Sequence, residues 1–308
     1  MFEYYSCHYI QNGVNFYPNS TIKMCCFTLD GEVDVCKTDE DIEQIIRKIF
    51  YKKLQMIKDF SEGNIYDCCK NCTCLVKRPW GQQVRQITSV TLNHFMVCNL
   101  KCVHCGYAKK METDRLLDTD HKEVLNIIKK LLESNVVSQN VSFDVGGGEP
   151  SLSKGLIDIV QFCIDNKYKM HINSNCANYV ETFAQGVNEG IIDLTLTPDA
   201  GSRDVYKSIK GADYFEKVWK NIEKYMKSCQ AGVKVKFILQ EGNIQDIVNM
   251  VDMCVNTKVR EVILNLDLNI KKENQGDYIN YINKFRTLSE MKSIIVYKGP
   301  FIPNDVWI

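Results

Sequence analysis

The chain has no net charge: 38 basic and 38 acidic side chains cancel across its 308 residues. A nucleic-acid surface needs a basic field, so this balance argues against such a partner. No apolar run is long enough to span a bilayer. The opening residues, Met1-Phe-Glu-Tyr-Tyr-Ser6, lack the basic start and apolar core of a secretory leader. A cytoplasmic protein without a membrane partner is therefore expected. Cysteine is missing beyond Cys254, yet the chain holds 15 of them. In a reducing compartment so many thiols favour metal binding or redox work over disulfides. The odd count also rules out complete intramolecular pairing.

The cysteines divide the chain. Eight lie before residue 75: Cys7, Cys25, Cys26, Cys36, Cys68, Cys69, Cys72 and Cys74. From about residue 86 the pattern changes to alternating strands and helices. Apolar-alternating runs fall at 88–96, 141–145, 169–174, 191–197, 233–239 and 261–268. Helical runs separate them, most clearly 120–134, where Val124, Leu125, Ile127, Ile128, Leu131 and Leu132 form one face and Thr119 or Asp120 can cap the start. Such alternation predicts an α/β fold with parallel strands and right-handed crossovers. The expected organisation is a cysteine-rich segment over 1–85 and a partial (β/α)6 barrel over 86–308.

The strands show one apolar and one polar parity. Phe143, Val145, Leu194, Leu196, Val235, Phe237, Val262 and Leu264 share the first, and Asp144, His171, Asn173, Thr195, Lys236, Asn265 and Asp267 share the second. Alternate residues of a strand face opposite ways. Helices are expected over the apolar parity, and a ligand or water cavity over the polar one, because unpaired buried polar groups cost about 2–7 kcal/mol each.

Three cysteines stand apart in Cys98-Asn-Leu-Lys-Cys102-Val-His-Cys105, a C-x3-C-x2-C run. Zinc sites prefer C-x2-C pairs joined to a second distant pair. Three close thiolates instead suit three corners of a cubane iron–sulfur cluster, with one iron left open to an external ligand. His104 inside the run reads as packing on the cluster or facing solvent. About forty residues on, after the next strand, comes Gly146-Gly147-Gly148-Glu149-Pro150.

This pair of motifs resembles the radical SAM superfamily. The similarity extends to Asp199-Ala-Gly-Ser-Arg203-Asp-Val-Tyr206, Ile209-Lys-Gly211 and Phe215-Glu-Lys-Val218, which look like the region after the fourth barrel strand in members carrying auxiliary clusters, and to Lys234-Val-Lys236-Phe-Ile-Leu239 with Glu241-Gly-Asn243, which fit the fifth strand and its loop. The resemblance implies a 4Fe–4S cluster on Cys98, Cys102 and Cys105, and S-adenosylmethionine as cofactor. It implies reductive cleavage of that cofactor, abstraction of a substrate hydrogen, and an external electron donor such as flavodoxin or ferredoxin. Gly147 and Gly148 would let backbone approach the methionine end, and Glu149 would accept from its ammonium. Asn173, Ser174 and Asn175 would meet ribose hydroxyls, or else cap the following helix. Asp199 and Arg203 would pair with each other or reach cofactor or substrate. Asp144, Lys236, Asn265 and Asp267 are the candidate substrate contacts, with Asp144, Lys236 and Asp267 the candidate catalytic groups.

The extra cysteines suggest a second centre. Cys69-Lys-Asn-Cys72 is a C-x2-C pair; with Cys7 and Cys25 or Cys26 it makes a candidate auxiliary cluster, Cys68 and Cys74 being alternatives and a zinc knuckle the competing reading. Relatives in this family often carry auxiliary clusters in a C-terminal SPASM or twitch extension; with no cysteine after Cys254, that extension is expected to be absent here. An auxiliary cluster would accept an electron and make the net reaction an oxidation. A lone thiol among Cys176, Cys229 and Cys254 would instead return hydrogen and give an epimerisation. The expected activity is thus a radical SAM oxidoreductase or epimerase acting on a sugar or peptide. The alternatives are a maturase that oxidises a protein Ser or Cys, and a structural zinc or electron-carrier protein.

Overall fold

The computed structural model describes residues 3–25, 31–70, 72, 74–80, 86–106, 118–229, 231–270, 272–303 and 307. Cys26 lies outside them. The chain forms two compact units, one from Met1–Val97, Arg115–Gly148 and Ser153–Met170, the other from Cys98–Asp114, Glu149–Leu152 and His171–Ile308.

The first unit contains, in order, β1 (Glu3–Ser6), α1 (His8–Asn12), β2 (Gly13–Tyr17), β3 (Thr21–Lys23), β4 (Asp34–Lys37), α2 (Ile42–Ser61), β5 (Val76–Pro79), β6 (Ile87–Leu92), α3 (His121–Glu133), β7 (Val137–Val145) and α4 (Leu156–Asp165). Its main strand order is β7-β6-β2-β3-β4. β6 runs parallel to β7 and to β2, whereas β3 is antiparallel to both β2 and β4. The 1–85 stretch thus contributes three strands to the sheet of β6 and β7. β1 and β5 pair separately as an antiparallel ribbon. The β6-α3-β7 crossover follows from its pattern. Asp120 caps α3 by accepting from the Lys122 amide at 2.7 Å, and Val124, Ile127, Ile128, Leu131 and Leu132 are buried. Val90, Leu92, Phe143 and Val145 of the strands are buried as well. Each such side chain contributes about 1.5–3 kcal/mol.

A histidine pair, with His94 buried and His121 half-buried, ties the start of α3 to the exit of β6. His94 Nε2 and His121 Nδ1 are 2.8 Å apart, and His121 Nε2 is 2.6 Å from Ser153 Oγ. Burial, with His121 beside it, depresses the His94 pKa to about 3. Unfolded, His94 titrates near 6.5, so the unfolded chain binds more protons between these values. Its contribution is complete above pH 6.5 and fades as pH falls toward 3. Wild-type stability in denaturant is expected to drop by about 2 kcal/mol between pH 7 and pH 5 from this group. The His94→Asn variant should show a clearly shallower decline, and parallel curves would refute the assignment.

The second unit continues with β8 (Lys169–Ser174), α5 (Glu181–Asn188), β9 (Ile192–Leu196), α6 (Arg203–Lys210), α7 (Phe215–Ser228), β10 (Val233–Leu239), α8 (Ile247–Asn256), β11 (Glu261–Leu266), α9 (Ile279–Met291) and β12 (Ile295–Lys298). The strand order is β12-β11-β10-β9-β8, and the pairs β9–β10, β10–β11 and β11–β12 are parallel. Helices lie between successive strands, as an α/β chain requires. The apolar parity is the core face: Leu194, Leu196, Val235, Phe237, Val262 and Leu264 are buried, with Phe237 5.2 Å from the Phe285 ring of α9.

The six strands read from the sequence correspond to β6–β11. β7 begins four residues early, at Val137 instead of 141, and residues 93–96 are irregular although buried. The structure adds one parallel strand to each unit, β12 beside β11 and β2 beside β6. β12 is short and half-exposed, so it carries no strong apolar alternation.

Candidate functional site

In the second unit the three-cysteine loop rests on the end of α6. The Lys101 amide donates to the Lys210 carbonyl and the Val103 amide to the Ile209 carbonyl, each at 3.0 Å. These carbonyls are among the last of a helix, which have no partner within it. Gly211 follows at φ 68°, and a Cβ there would lie 3.0 Å from the Lys101 carbonyl oxygen. Glycine both ends the helix and admits the loop. The Ile209-Lys-Gly211 stretch is therefore the seat of the cysteine loop.

Cys98 is exposed, Cys102 and Cys105 are half-buried, and none forms a disulfide. Burial pushes the Cys102 thiol up to about 11, against the opposing pull of the Lys210 ammonium. Cys102 and Cys98 each feel the charge of the other two thiols or of Cys105. Among the described residues no three Cys, His, Asp or Glu side chains converge on one ion's position. A cubane cluster does not require that, because each thiolate binds a different iron. Three unpaired thiols on one short pinned loop fit such a cluster.

Glu149, 2 % exposed, accepts from three donors: Ser174 Oγ and the Asn175 amide at 2.7 Å, and the Ser151 amide at 3.0 Å. Its carboxylate thereby fixes the end of β8. Asn175 passes this on to the cysteine loop, donating from Nδ2 to Asn99 Oδ1 at 2.8 Å, with Cys98 Sγ at 3.9 Å. Ser174 and Asn175 are thus held by Glu149 and the loop, not by capping α5, whose cap is Val180.

Asp199 is fully buried at φ 56°. Its Oδ2 accepts from Lys210 Nζ at 2.5 Å and its Oδ1 from the Ile238 amide at 2.9 Å. Burial raises its pKa, but Lys210 and His104 outweigh this and hold it below the usual carboxylate range. The predicted Asp199–Arg203 pair is absent: Arg203 forms a two-nitrogen contact with Asp213 at 2.8–3.1 Å. Helix α6 carries Arg203 outward and places Lys210 inward. His104 does not face solvent. Its Nδ1 is 3.1 Å from Gln240 Nε2 and its Nε2 is 3.8 Å from Asp199 Oδ2. Burial lowers its pKa, partly offset by Asp199.

The candidate substrate contacts separate. Lys236 donates to Asn173 Oδ1 at 2.9 Å, so these two engage each other. Burial lowers the Lys236 pKa, which nearby Asp199 partly restores. Asp267 closes a local turn by accepting from the Asn269 amide and side chain at 2.9 and 2.8 Å. Asn265 is buried and accepts from the Phe301 amide at 3.0 Å, a structural role its strand parity did not reveal. A cavity of about 280 Å³ opens on the polar parity beside His171, Thr195, Lys234 and Tyr297.

In the first unit Asp144, half-buried, lies opposite Thr91. Gly147 (φ 85°) and Gly148 pack under residues 95–97; a Cβ at Gly147 would lie 2.6 Å from the Phe95 carbonyl and one at Gly148 2.3 Å from that of Val97. The space freed by these glycines is taken by the chain's own backbone.

The amino-terminal cysteines draw together in this same unit. Cys7 feels the charges of Cys25 and Cys72, and Cys69 those of Cys68, Cys25 and Cys7. Cys68 and Cys69 sulfurs are 3.8 Å apart. Burial pushes Cys7 up to about 12. Hydrogen bonding from Cys74 brings Cys72 down to about 6. None of the described cysteines here forms a disulfide. Cys36 is buried near Glu40 and Lys48 and outside this interaction set.

Lys210, Asn99, Gln240 and Tyr206 were not singled out by sequence reasoning. The available signal was the spacing of Tyr206 and Lys210, four residues apart on one helix and hence on one face.

A family profile described as the radical SAM superfamily matches residues 92–257. A protein of Methanococcus maripaludis strain C7 named "Probable GTP 3′,8-cyclase" is 28% identical over 172 residues, covering 55% of this chain and 56% of its own length. A Sulfurisphaera tokodaii protein of the same name is 26% identical over 176 residues, covering 57% and 54%. The chain spans about half the length of the curated relatives it matches. Among solved structures, Streptococcus suis SuiB aligns with TM-score 0.56 at 13% identity, covering 84% of this chain and 55% of SuiB. anSMEcpe with bound AdoMet and a peptide aligns with TM-score 0.53 at 16% identity, covering 68% and 62%.

Proposed function

Since the chain belongs to the radical SAM superfamily, whose members use a 4Fe–4S cluster and S-adenosylmethionine, we propose that it abstracts hydrogen from a sugar or peptide substrate and carries out a net oxidation. The observation that carries this reading is the Cys98–Cys105 loop seated on α6 through the Lys101 and Val103 amides. A cluster bound to that loop would supply the electron for reductive cleavage of S-adenosylmethionine, and so for abstraction of a substrate hydrogen. Cys98, Cys102 and Cys105 would hold the cluster. Glu149 keeps Ser174 and Asn175 in place at the end of β8, where the ribose would lie. Gly147, Gly148, Asn173 and Asp199 remain assigned to cofactor binding, Gly147 and Gly148 through the backbone path they permit. Asp144, Lys236 and Asp267 remain the candidate catalytic groups.

Oxidation is favoured over epimerisation by the placement of the lone thiols. Cys163, Cys176, Cys229 and Cys254 are all buried, which suits small core residues better than hydrogen donors to a substrate. The electron acceptor proposed instead is an auxiliary iron–sulfur cluster on Cys7, Cys25, Cys69 and Cys72 within the 1–85 segment. Peptide substrates gain support from SuiB, one of whose structures holds its precursor peptide; the named cyclases favour a nucleotide. Flavodoxin or ferredoxin remains the proposed donor. No helix among the described residues is long and apolar enough to cross a membrane.

Anaerobic reconstitution tests the reading. Dithionite-reduced protein given S-adenosylmethionine should form 5′-deoxyadenosine, and deuterium should not appear in product carbon if the reaction is an oxidation. Absence of 5′-deoxyadenosine with clusters intact refutes it. Cys69→Ala/Cys72→Ala should lose about half of the bound iron while the Cys98 loop keeps its share. Full iron in that variant removes the auxiliary assignment, and zinc in the wild type replaces it with a structural site.

A further inference from the structure

Beneath the cysteine loop, α6 turns two side chains inward. Tyr206 and Lys210 stand four residues apart, on one face of the helix. Both are almost wholly shielded from solvent, at 0% and 2% exposure. Lys210 is paired with Asp199, and the Tyr206 hydroxyl is buried with no hydrogen-bond partner among the described residues. A buried hydroxyl left without a partner is costly, about 1–3 kcal/mol, and calls for an explanation in terms of a ligand or function. The same helix end supplies the carbonyls that receive the loop amides of Lys101 and Val103.

The pair has a direction. The Lys210 ammonium bears on both Cys98 and Cys102. On Cys102 its pull exceeds the opposing one of Asp199. Tyr206 in turn feels Lys210 and Cys102. A cation close to a cluster stabilises the added electron, and hydrogen bonds to cluster sulfurs act the same way. A buried pair is not needed for stability alone, because well-packed apolar residues often serve as well.

We propose that Lys210, held by Asp199, and Tyr206 form a positioning floor under the Cys98–Cys105 loop that raises the reduction potential of the cluster bound there. This rests on the proposed function only in requiring a cluster at that loop. Asp199 fixes the ammonium by accepting from it while its other oxygen is occupied by the Ile238 amide. The Tyr206 hydroxyl finds its acceptor in the loaded site. Neither residue is assigned to touch substrate.

The test is an EPR-monitored redox titration of the full chain, reconstituted anaerobically with iron and sulfide, with iron counted in every sample. The Cys98-loop signal is identified by its loss in Cys98→Ala. Tyr206→Phe removes the orphan hydroxyl and breaks no pair, so the iron-free protein should melt at or above the wild-type temperature. Its cluster midpoint should move to lower potential. The Lys210→Met/Asp199→Asn double variant removes both charges while Asn keeps an acceptor for Ile238. It should lose about tenfold in the reduction equilibrium, close to 59 mV for a one-electron couple. Lys210→Arg should restore the wild-type midpoint. Wild-type midpoints in Tyr206→Phe and in the double variant, with iron retained, overturn the inference. If the double variant loses its iron, Asp199→Asn decides: it leaves the ammonium without its counter-charge and should raise the midpoint, and an unchanged or lower value overturns the inference. A wild-type chain with no reducible cluster at the loop would instead refute the proposed function.

Discussion

Cys98→Ala is expected to abolish 5′-deoxyadenosine formation, to below about one thousandth of wild type, the scale on which loss of an essential catalytic group is felt. The reason is ligand number. The loop offers three thiols to a centre that already leaves one iron to an external ligand, and two thiolates no longer secure it. The fold should survive. Cys98 is exposed, and the loop is anchored by the Lys101 and Val103 amides, neither of which involves its sulfur. Among the described residues, only the contacts of Cys98 with the Leu100 amide at 3.4 Å and with Asn175 are lost. Far-UV circular dichroism and the melting temperature of the iron-free protein should therefore match wild type, while iron at the loop and product both disappear. Retention of cluster and turnover in Cys98→Ala would show that the chemistry lies elsewhere.

Glu149→Ala should be strongly destabilising. Its carboxylate is the acceptor for the Ser174 hydroxyl and for the amides of Asn175 and Ser151. Alanine leaves these donors facing a void. Each buried donor left unsatisfied costs about 1–3 kcal/mol. Ser174 can rotate its hydroxyl and Ser151 is half-exposed, so the sum is smaller than three full penalties, about 2–4 kcal/mol. The melting temperature should fall by roughly 5–10 °C. Glu149→Gln keeps one acceptor oxygen and should lie between. The functional loss should exceed what stability alone predicts, because Asn175 also carries the hydrogen bond to Asn99 in the cysteine loop. A Glu149→Ala protein that melts within about 1 °C of wild type would mean that these donors find other partners, and the scaffold role given to Glu149 would fall.

The two changes separate the roles that the two motifs play. Cys98 is proposed to supply a donor atom and lends little stability. Glu149 organises the ground on which the loop stands. That division was not visible in the motif pair, where both read simply as cofactor residues.

Much of the architecture was decided locally. The 3.6-residue period of α3 with Asp120 at its start, and the two-residue period of β6–β11, are properties of neighbouring residues and need no tertiary information. The C-x3-C-x2-C spacing likewise keeps three thiols close together by covalent reach alone. The strand parity identified the core face, because alternate side chains must point opposite ways. What only the tertiary structure decided are the pairings between residues distant along the chain. Asp199 could have taken Arg203 or Lys210; the outward and inward faces of α6 chose Lys210. Lys236 and Asn173, 63 positions apart, satisfy each other, and Asn265 turned out to hold Phe301. The crowding of Gly147 and Gly148 by backbone carbonyls was equally hidden. A polar side chain announces that it needs a partner, but the partner is set by which elements the fold brings within about 3 Å.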